Sequence, residues 1–287
     1  MTDLHDRILA WYDEHARDLP WRRPEATPWG VMVSEFMLQQ TPVSRVLPVY
    51  DVWLATWPTP ATLAAAPSGD AVRLWGRLGY PRRALRLHAA ATAIVERHDG
   101  EVPATIEELR ALPGVGEYTA AAIASFAHRQ RHAVLDTNVR RVLARLVTGD
   151  EYPASSLTRS ERELAETLLP DEETAAVWSV AVMELGALVC TAAAPRCNAC
   201  PVEHLCIWHT SGRPAYDGPP RRGQAYAGTD RQCRGRLLGV VRDAHEPVHL
   251  ARLEAAWSDA PQRERCLQSL LDDGLLTRHG PMFALPA

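Results

Sequence analysis

The sequence contains no lysine: all 31 basic residues are arginines. Its side chains therefore cannot supply the amine for a mechanism that passes through a lysine Schiff base. The chain also lacks an apolar run of membrane length, and its first residues are polar, without the apolar core of a signal peptide. These absences predict a cytoplasmic protein that has no membrane partner.

Net positive charge is lacking as well. The formal net charge is −4, which argues mildly against a nucleic-acid partner because phosphate binding usually leaves a basic footprint. The arginines are nevertheless clustered. One group brackets Asp136 and another follows Tyr80: Arg129, Arg131, Arg140, Arg141 and Arg145, then Arg82, Arg83 and Arg86. A solvent-exposed helix face explains either group by itself, so charge alone leaves the partner open.

Sustained alternation of apolar and polar residues, which is typical of strands, is also missing. Apolar residues recur at helical spacing, and Pro or Gly separates short helical segments. This predicts an all-α fold up to about residue 210 and a Gly- and Pro-rich linker over 211–228. Beyond the linker, three helices are predicted over 231–242, 248–257 and 262–272, with a short hairpin over 275–285. That order is typical of a winged helix, and a helical cap packed on the main body fits it equally well.

Cysteines are few, but four of them lie close together with six, two and five residues between them: Cys190, Cys197, Cys200 and Cys206. Four thiolates at this spacing suit either a [4Fe–4S] cluster or tetrahedral zinc. Structural zinc more often uses two Cys-x-x-Cys pairs, and only one is present, so the spacing favours the cluster. Disulfides are the weaker alternative in a cytoplasmic protein.

A glycine hairpin occupies residues 112–119, Leu-Pro-Gly-Val-Gly-Glu-Tyr-Thr, between helical segments predicted over 107–111 and 119–127. Pro113 and Gly114 are expected to end the first helix, and Gly116 to permit the tight reversal. The unpaired amides at the start of the second helix favour anions. Taken alone, the hairpin is better interpreted as a corner between two helices of a bundle.

Two carboxylates stand out on either side of the hairpin. Glu35 lies among apolar residues of a predicted helix, where burial favours the protonated form that a general acid needs; a salt bridge to one of the arginines is the alternative. Asp136 precedes Thr-Asn-Val-Arg-Arg and is a good helix N-cap.

The ordered set of Glu35, hairpin, Asp136 and four cysteines resembles the adenine DNA glycosylases of the MutY group, in the endonuclease III helix-hairpin-helix superfamily. The resemblance covers about residues 4 to 210. It implies two helical subdomains, namely 25–135 with the hairpin, and 1–24 together with 136–210, which carries the cluster loop. The linker 211–228 and a winged-helix-like tail, 229–287, follow. The tail is too short for the domain with which these proteins inspect 8-oxoguanine.

The resemblance also implies catalytic roles. Glu35 would protonate adenine at N7, and Asp136, oriented by Asn138, would stabilise an oxocarbenium-like sugar. Tyr118 occupies the position at which bifunctional relatives carry the lyase lysine, which implies base release without strand cleavage. The competing interpretation of Tyr118 is an aromatic side chain that simply packs the hairpin.

Further residues match the segments of this family that contact DNA. Gln39 and Gln40 would fill the duplex where the base has left, Tyr80 would act as a wedge beside the opposite base, and Gly114 and Gly116 would approach the backbone. The segment that forms the base pocket is represented by Arg17, Leu19 and Trp21. Val180 falls where relatives usually offer Gln or Glu to the adenine edge, so one polar contact is expected to be missing or replaced.

The implied function is therefore removal of adenine mispaired with 8-oxoguanine or guanine, by hydrolysis of the N-glycosidic bond in double-stranded DNA. The resemblance further implies a nucleoid-associated monomer with a structural [4Fe–4S] cluster and no nucleotide cofactor. Two alternatives stay open. One is a thymine–guanine mismatch glycosylase, and the other is a non-catalytic iron-sulfur DNA-binding regulator that uses the winged-helix-like tail.

Overall fold

The computed structural model describes residues 2–218 and 226–287, so part of the predicted linker 211–228 lies outside the described residues. The predicted helical body is confirmed. Its helices are α1 (Thr2–His15), α2 (Pro28–Leu38), α3 (Val43–Thr56), α4 (Pro60–Ala64), α5 (Ser68–Trp75), α6 (Arg82–Arg97), α7 (Ile106–Arg110), α8 (Glu117–His128), α9 (Thr137–Leu143), α10 (Arg159–Leu168), α11 (Glu172–Leu188) and α12 (Ile207–Thr210). Within the described ranges, no helix is long and apolar enough to cross a membrane.

The residues fall into two compact units. Unit 1 comprises Met1–Val31, Ala104–Arg110 and Val115–Pro220, and unit 2 comprises Met32–Pro103, Ala111–Gly114 and Arg221–Ala287. The region beyond the predicted linker thus groups with α3 to α6 in one unit.

Helix α11 is the centre of unit 1. Asp171 caps its start by accepting a hydrogen bond from the Thr174 amide at 3.1 Å, and Ala, Val, Leu and Met fill most of the helix. Its buried side chains form a core with those of α1 and α9: Ile8, Trp11, Val139, Val142, Ala181, Val182 and Leu185. Each large apolar side chain buried in this way contributes about 1.5–3 kcal/mol to the stability of the fold. The core therefore places α9, and the residues at its start, firmly against α11.

The core of unit 2 has α6 at its centre, packed against α4 and α5. Two fully buried tryptophans, Trp53 of α3 and Trp75 of α5, meet edge to face with ring centroids 5.7 Å apart. Trp75 also donates from its indole nitrogen to the Gly79 carbonyl at 3.0 Å. The loop after α5 is thereby tied to the core of its own unit.

The last part of unit 2 has the element order of a winged helix. It consists of α13 (Asp230–Arg242), β1 (Val248–His249), α14 (Leu250–Ala256), α15 (Ala260–Asp272), β2 (Thr277–His279) and β3 (Met282–Ala284). The strands form an antiparallel sheet in the order β1-β3-β2, in which Phe283 lies opposite both Val248 and Arg278. The sequence predicted a helix from residue 248. Val248 and His249 instead pair with β3, because a two-residue strand leaves no periodicity to detect.

Candidate active site

Asp136 lies immediately before α9 and caps it. Its Oδ1 accepts a hydrogen bond from the Val139 amide at 2.6 Å, and its Oδ2 accepts one from Asn138 Nδ2 at 2.8 Å. Burial raises the pKa of Asp136, and the hydrogen bonds from Val139 and Asn138 only partly offset it. The N-cap prediction is confirmed, and the same contacts hold the carboxylate in one orientation.

A second layer of contacts holds Asn138 in turn. Arg141, which is buried, donates from Nη2 to Asn138 Oδ1 and to the Gly186 carbonyl, both at 2.8 Å, and from Nε to the Cys190 carbonyl at 2.8 Å. A continuous series of hydrogen bonds therefore joins Asp136 to the first residue of the cysteine loop. The sequence analysis did not single out Arg141 for this role, because nothing in the local pattern indicates its partners.

Gly186 packs against Asn138. A Cβ atom at Gly186 would lie 2.7 Å from Asn138 Cβ and 3.0 Å from the Asn138 carbonyl oxygen, so only glycine fits without displacing Asn138. A glycine within an otherwise strong helix such as α11 is the signal that could have identified it.

The predicted base-pocket segment is organised by a carboxylate that the sequence analysis missed. Glu184, fully buried in α11, accepts hydrogen bonds from the Arg17 amide at 3.0 Å, from Arg17 Nε and Nη2 at 2.7 Å each, and from Arg22 Nη2 at 2.9 Å. Burial by itself would raise the pKa of Glu184, but the hydrogen bonds from Arg17 and Arg22 lower it to about 2. Leu19 and Trp21 beside them are buried.

That one polar contact to the adenine edge is missing or replaced at Val180 stays a prediction. Val180 is half-buried, and Glu184 lies one helical turn further along α11, paired with Arg17. The signal for Glu184 was the one that identified Glu35, a single carboxylate within an apolar helical run.

Glu35 and Tyr118 lie on helices whose starts are defined by local sequence. Helix α2 begins at Pro28, after Thr27, whose Oγ1 accepts a hydrogen bond from the Gly30 amide at 3.1 Å. Glu35 in that helix is 6% exposed, as predicted. Tyr118 is half-buried in the first turn of α8.

The two hairpin glycines differ in their backbone conformation. Gly114 has φ +79°, and a Cβ there would lie 2.7 Å from Arg86 Cβ and 3.1 Å from Phe36 Cε1. Gly116 precedes α8 with φ −91°, is exposed, and would hold a Cβ with no neighbour within 4 Å. The prediction that Gly116 makes the reversal is wrong, because the left-handed conformation falls on Gly114. Gly116 leaves open space in front of the helix start.

Two residues predicted to contact DNA have strained backbones. Gln40 has φ +54° and Tyr80 has φ +47°, which is rare for residues with a side chain. Both are exposed, Tyr80 by 50%. Such conformations persist only where the surroundings enforce them, and they concentrate at functional sites.

Arg83 holds the backbone of Gln40 and of Tyr80 in these conformations. It is 5% exposed and donates from Nη1 to the Gln39 carbonyl at 2.7 Å and from Nη2 to Thr41 Oγ1 at 2.9 Å and the Gly79 carbonyl at 3.1 Å. Its guanidinium carbon lies 5.5 Å from the centroid of the Tyr80 ring. Burial lowers the pKa of Arg83 to about 10, so the group stays charged at neutral pH. One buried arginine thus fixes the two loops that carry Gln39, Gln40 and Tyr80.

The four clustered cysteines line one small, open cavity. Arg145, which is almost fully buried, donates to Cys190 Sγ at 3.4 Å, and Cys206 Sγ lies 3.3 Å from the Arg145 carbonyl oxygen. Burial raises the pKa of Cys200 to about 12, and the neighbouring cysteines add to the effect. In the part of the chain that is described, no group of three or more His, Cys, Asp or Glu side chains is arranged to hold a metal ion.

Comparison with known proteins identifies the family of the chain. The family model for the HhH-GPD superfamily base excision DNA repair protein matches residues 33–167. An adenine DNA glycosylase of Mycobacterium tuberculosis is 56% identical over 282 residues, which cover 97% of this chain and 92% of that protein. The chain belongs to the adenine DNA glycosylase family.

Two further relatives show how far this similarity extends. The adenine DNA glycosylase of Mycolicibacterium smegmatis is 52% identical over 94% of this chain and 91% of its own length. The human adenine DNA glycosylase is 42% identical over 72% of this chain, and only 39% of its own length is matched. The family resemblance drawn from the motifs is thus confirmed, and the mycobacterial proteins share the region beyond the linker.

Solved structures show the same fold. A thermostable thymine-DNA glycosylase superposes with a TM-score of 0.66 at 27% identity, covering 73% of this chain and 96% of that one. Endonuclease III in a non-covalent DNA complex superposes with a TM-score of 0.63 at 22% identity, covering 74% of this chain and 95% of that one. The predicted fold class is confirmed by both.

Proposed function

We propose that this protein is a monofunctional DNA glycosylase of base excision repair that removes adenine mispaired with 8-oxoguanine or guanine. The observation that carries the proposal is Asp136, held as a helix cap with Asn138 on its second oxygen, in a chain of the adenine DNA glycosylase family. A carboxylate fixed in this manner needs no reorganisation when positive charge develops beside it.

In the proposed mechanism Glu35 donates a proton to N7 of the flipped adenine and so makes the base a better leaving group. Positive charge builds up on the sugar as the glycosidic bond lengthens, and the ionised Asp136 carboxylate stabilises it. Water then adds to the sugar carbon, and its proton is released. Asn138 and the Val139 amide keep the carboxylate oriented throughout the reaction.

The product is an abasic site in an intact strand. Strand cleavage by a glycosylase starts from an amine that attacks the sugar carbon, and no lysine is present to supply it. Tyr118 takes the matching position at the start of α8 and provides a hydroxyl instead.

The partner is double-stranded DNA with a mispaired adenine, bound by a monomer at the nucleoid without a nucleotide cofactor. Gln39, Gln40 and Tyr80 enter the duplex, and the exposed Gly116 and neighbouring Gly114 let the hairpin approach a phosphate. Arg17, Leu19 and Trp21 form the base pocket. Since Glu184 holds both Arg17 and Arg22, it sets the shape of that pocket.

The cofactor is a [4Fe–4S] cluster held by Cys190, Cys197, Cys200 and Cys206. Such a cluster would be held by four thiolates, and the four cysteine side chains line one cavity. When bound, the cluster supplies four metal–sulfur bonds that fix the loop after α11. Arg145, through its contact with Cys190, provides a positive charge beside the thiolates.

The two alternative functions, a thymine–guanine mismatch glycosylase and a non-catalytic DNA-binding regulator, have less support. The thymine-DNA glycosylase structure is 27% identical to this chain, against 56% for the adenine enzyme. For a DNA-binding regulator, α15 would be the recognition helix. Of its arginines, Arg263 is buried and the exposed Arg265 is paired with Asp230 at 2.8 Å. The surface of α15 therefore presents little positive charge for binding a phosphate backbone.

Single-turnover assays on three duplexes test the proposal, with adenine opposite 8-oxoguanine, adenine opposite guanine, and thymine opposite guanine. We expect release of adenine from the first two and no release of thymine. Glu35→Gln and Asp136→Asn should abolish release and leave mispair binding largely intact, because both groups act mainly on the transition state. Thymine release, or near-normal rates in either folded variant, would contradict the assignment.

A further inference from the structure

The winged-helix-like tail, residues 229–287, has no part in the proposed chemistry, yet it contacts one segment of its own unit closely. That segment is helix α5 with the following loop 76–80, called the wedge loop because Tyr80 lies at its end. Two contacts join the tail to the two ends of α5, and a third joins it to Arg82, two residues after Tyr80.

The first contact is at the end of α5. Arg242, at the end of α13, donates from Nη1 to the Gly76 carbonyl at 2.7 Å. Gly76 ends α5 in the left-handed region, with φ +57°. In return, Arg73 of α5 donates to the Ala244 carbonyl at 2.8 Å and also to the Arg242 carbonyl. Two arginines thus cap each other's helix ends, and one of them holds the first peptide of the wedge loop.

The second contact is at the start of α5. The Gly69 amide donates to the Pro286 carbonyl at 2.9 Å. A Cβ atom at Gly69 would lie 2.3 Å from that oxygen and 2.8 Å from Leu285 Cβ. The approach is therefore possible only for glycine, and the tail contacts α5 at both of its ends.

The third contact lies just beyond Tyr80. Arg82, the first residue of α6, donates to Asp273 Oδ1 at 2.9 Å, and Asp273 is also paired with Arg234 of α13. Arg82 is mostly exposed, so this ion pair by itself is weak. It nevertheless places a tail carboxylate two residues after the strained Tyr80.

We propose that the tail is a positioning element for the wedge loop: through Arg242 at Gly76, and through Asp273 at Arg82, it holds Tyr80 in the conformation that enters the duplex. The inference rests on the proposed function, in which Tyr80 lies beside the base opposite adenine. Arg83 fixes the inner side of the loop, and the tail fixes its two ends. The tail thereby takes part in selecting the opposite base without contacting it.

The test is a double-mutant cycle on full-length protein with its cofactor. Arg242→Ala, Tyr80→Ala and the double variant are compared with wild type in single-turnover release of adenine opposite 8-oxoguanine. Each single variant should lose about tenfold in rate, and the double variant should lose no more than Tyr80→Ala. Arg252→Ala is the matched control, because Arg252 is an exposed arginine of α14 with no side-chain hydrogen bond among the described residues.

A second readout separates positioning from general destabilisation. Arg242→Ala should change the ratio of rates for 8-oxoguanine over guanine opposite adenine in the same direction as Tyr80→Ala. Should Arg242→Ala fold poorly, Asp273→Asn replaces it, since the amide keeps the shape and removes the charge. Losses that multiply in the double variant, or an unchanged ratio, would overturn the inference while leaving the glycosylase assignment intact. A normal rate for Tyr80→Ala would overturn both the wedge assignment and this inference, and absent adenine release by wild type would overturn the proposed function itself.

Discussion

Asn138 donates to Asp136 Oδ2 at 2.8 Å while its own amide oxygen accepts from Arg141 at 2.8 Å. The amide group is therefore held at both ends, and its NH₂ can only point at the carboxylate. Because Arg141 also contacts the Cys190 carbonyl, the orientation of Asp136 depends on residues that lie far from it along the chain. This relationship leads to predictions for both the catalytic rate and stability.

Asn138→Ala should lower the rate of adenine release about 10- to 100-fold, because Asp136 loses the hydrogen bond that orients it and not its charge. Single-turnover kinetics at saturating enzyme measure the effect. Thr137→Ala, at the exposed neighbouring position, is the control and should keep the wild-type rate. Equal rates for Asn138→Ala and wild type would show that Asn138 has no positioning role.

Asp136→Asn should be inactive but no less stable than wild type. Burial raises the pKa of Asp136 above its unfolded value, so the ionised group detracts from stability once the pH rises through that range. Asparagine removes the charge and remains a good N-cap. Thermal unfolding followed by circular dichroism at pH 7 should give an unfolding temperature equal to or above that of wild type. A clear decrease would mean that the carboxylate is stabilised in the fold by its neighbours.

The raised pKa of Asp136 also predicts the acid side of the pH–rate profile. Release requires the ionised carboxylate, so the rate should fall as the pH decreases through a value above 3.8, the ordinary pKa of the group. Single-turnover rates between pH 4 and 8 test this, within the range where the protein stays folded. A rate that remains level down to pH 4 would place the pKa of Asp136 at or below its ordinary value.

Glu184→Ala should destabilise the protein by about 3 kcal/mol, because it leaves the charges of Arg17 and Arg22 without their partner in a buried site. The pKa of Glu184 is lowered to about 2 from 4.5, so the stability that the carboxylate contributes is present above pH 4.5 and is lost as the pH falls toward 2. Urea unfolding of wild type and Glu184→Gln should therefore converge in acid. Val180→Ala, one turn earlier in α11 and half-buried, is the control and should have the smaller effect at neutral pH.

Gly186→Ala should reduce both stability and rate, since its Cβ would lie 2.7 Å from Asn138 Cβ. Forcing a methyl group into such a site costs about 1–3 kcal/mol, and the displaced Asn138 no longer orients Asp136. Gly116→Ala is the matched comparison, because its Cβ has no neighbour within 4 Å and its φ is −91°. It should leave stability unchanged and weaken DNA binding if the hairpin approaches a phosphate. Equal stability of the two variants would contradict the packing argument.

The cysteine loop should bind iron and not zinc. Protein purified without oxygen should contain iron together with acid-labile sulfide and absorb broadly in the visible range, as such clusters do. Cys200→Ser should lose the iron, the sulfide and the visible absorption. Cys233→Ser, at a buried thiol of α13 outside the loop, should retain all three. Stoichiometric zinc without iron would refute the cluster.

The sequence by itself determined the local features. Apolar spacing and Pro or Gly breaks located the helices to within a few residues, because these depend on contacts between neighbours in the chain. The absence of lysine excluded an imine mechanism through its side chains, and the spacing of four cysteines indicated a sulfur-ligated group. Asp136 was recognisable as a cap from the residues that follow it.

Only the tertiary structure decided which residues act together over long separations. Glu184 pairs with Arg17, 167 positions away, and Gly186 packs against Asn138. Arg242 of the tail caps α5, 166 positions earlier in the chain. No local pattern specifies such partners, since many arginines could form a hydrogen bond with one buried carboxylate or carbonyl. The packing of the helices determines which arginine does so. The requirement for glycine at position 114 has the same origin, because Arg86 and Phe36 leave no room for a side chain there.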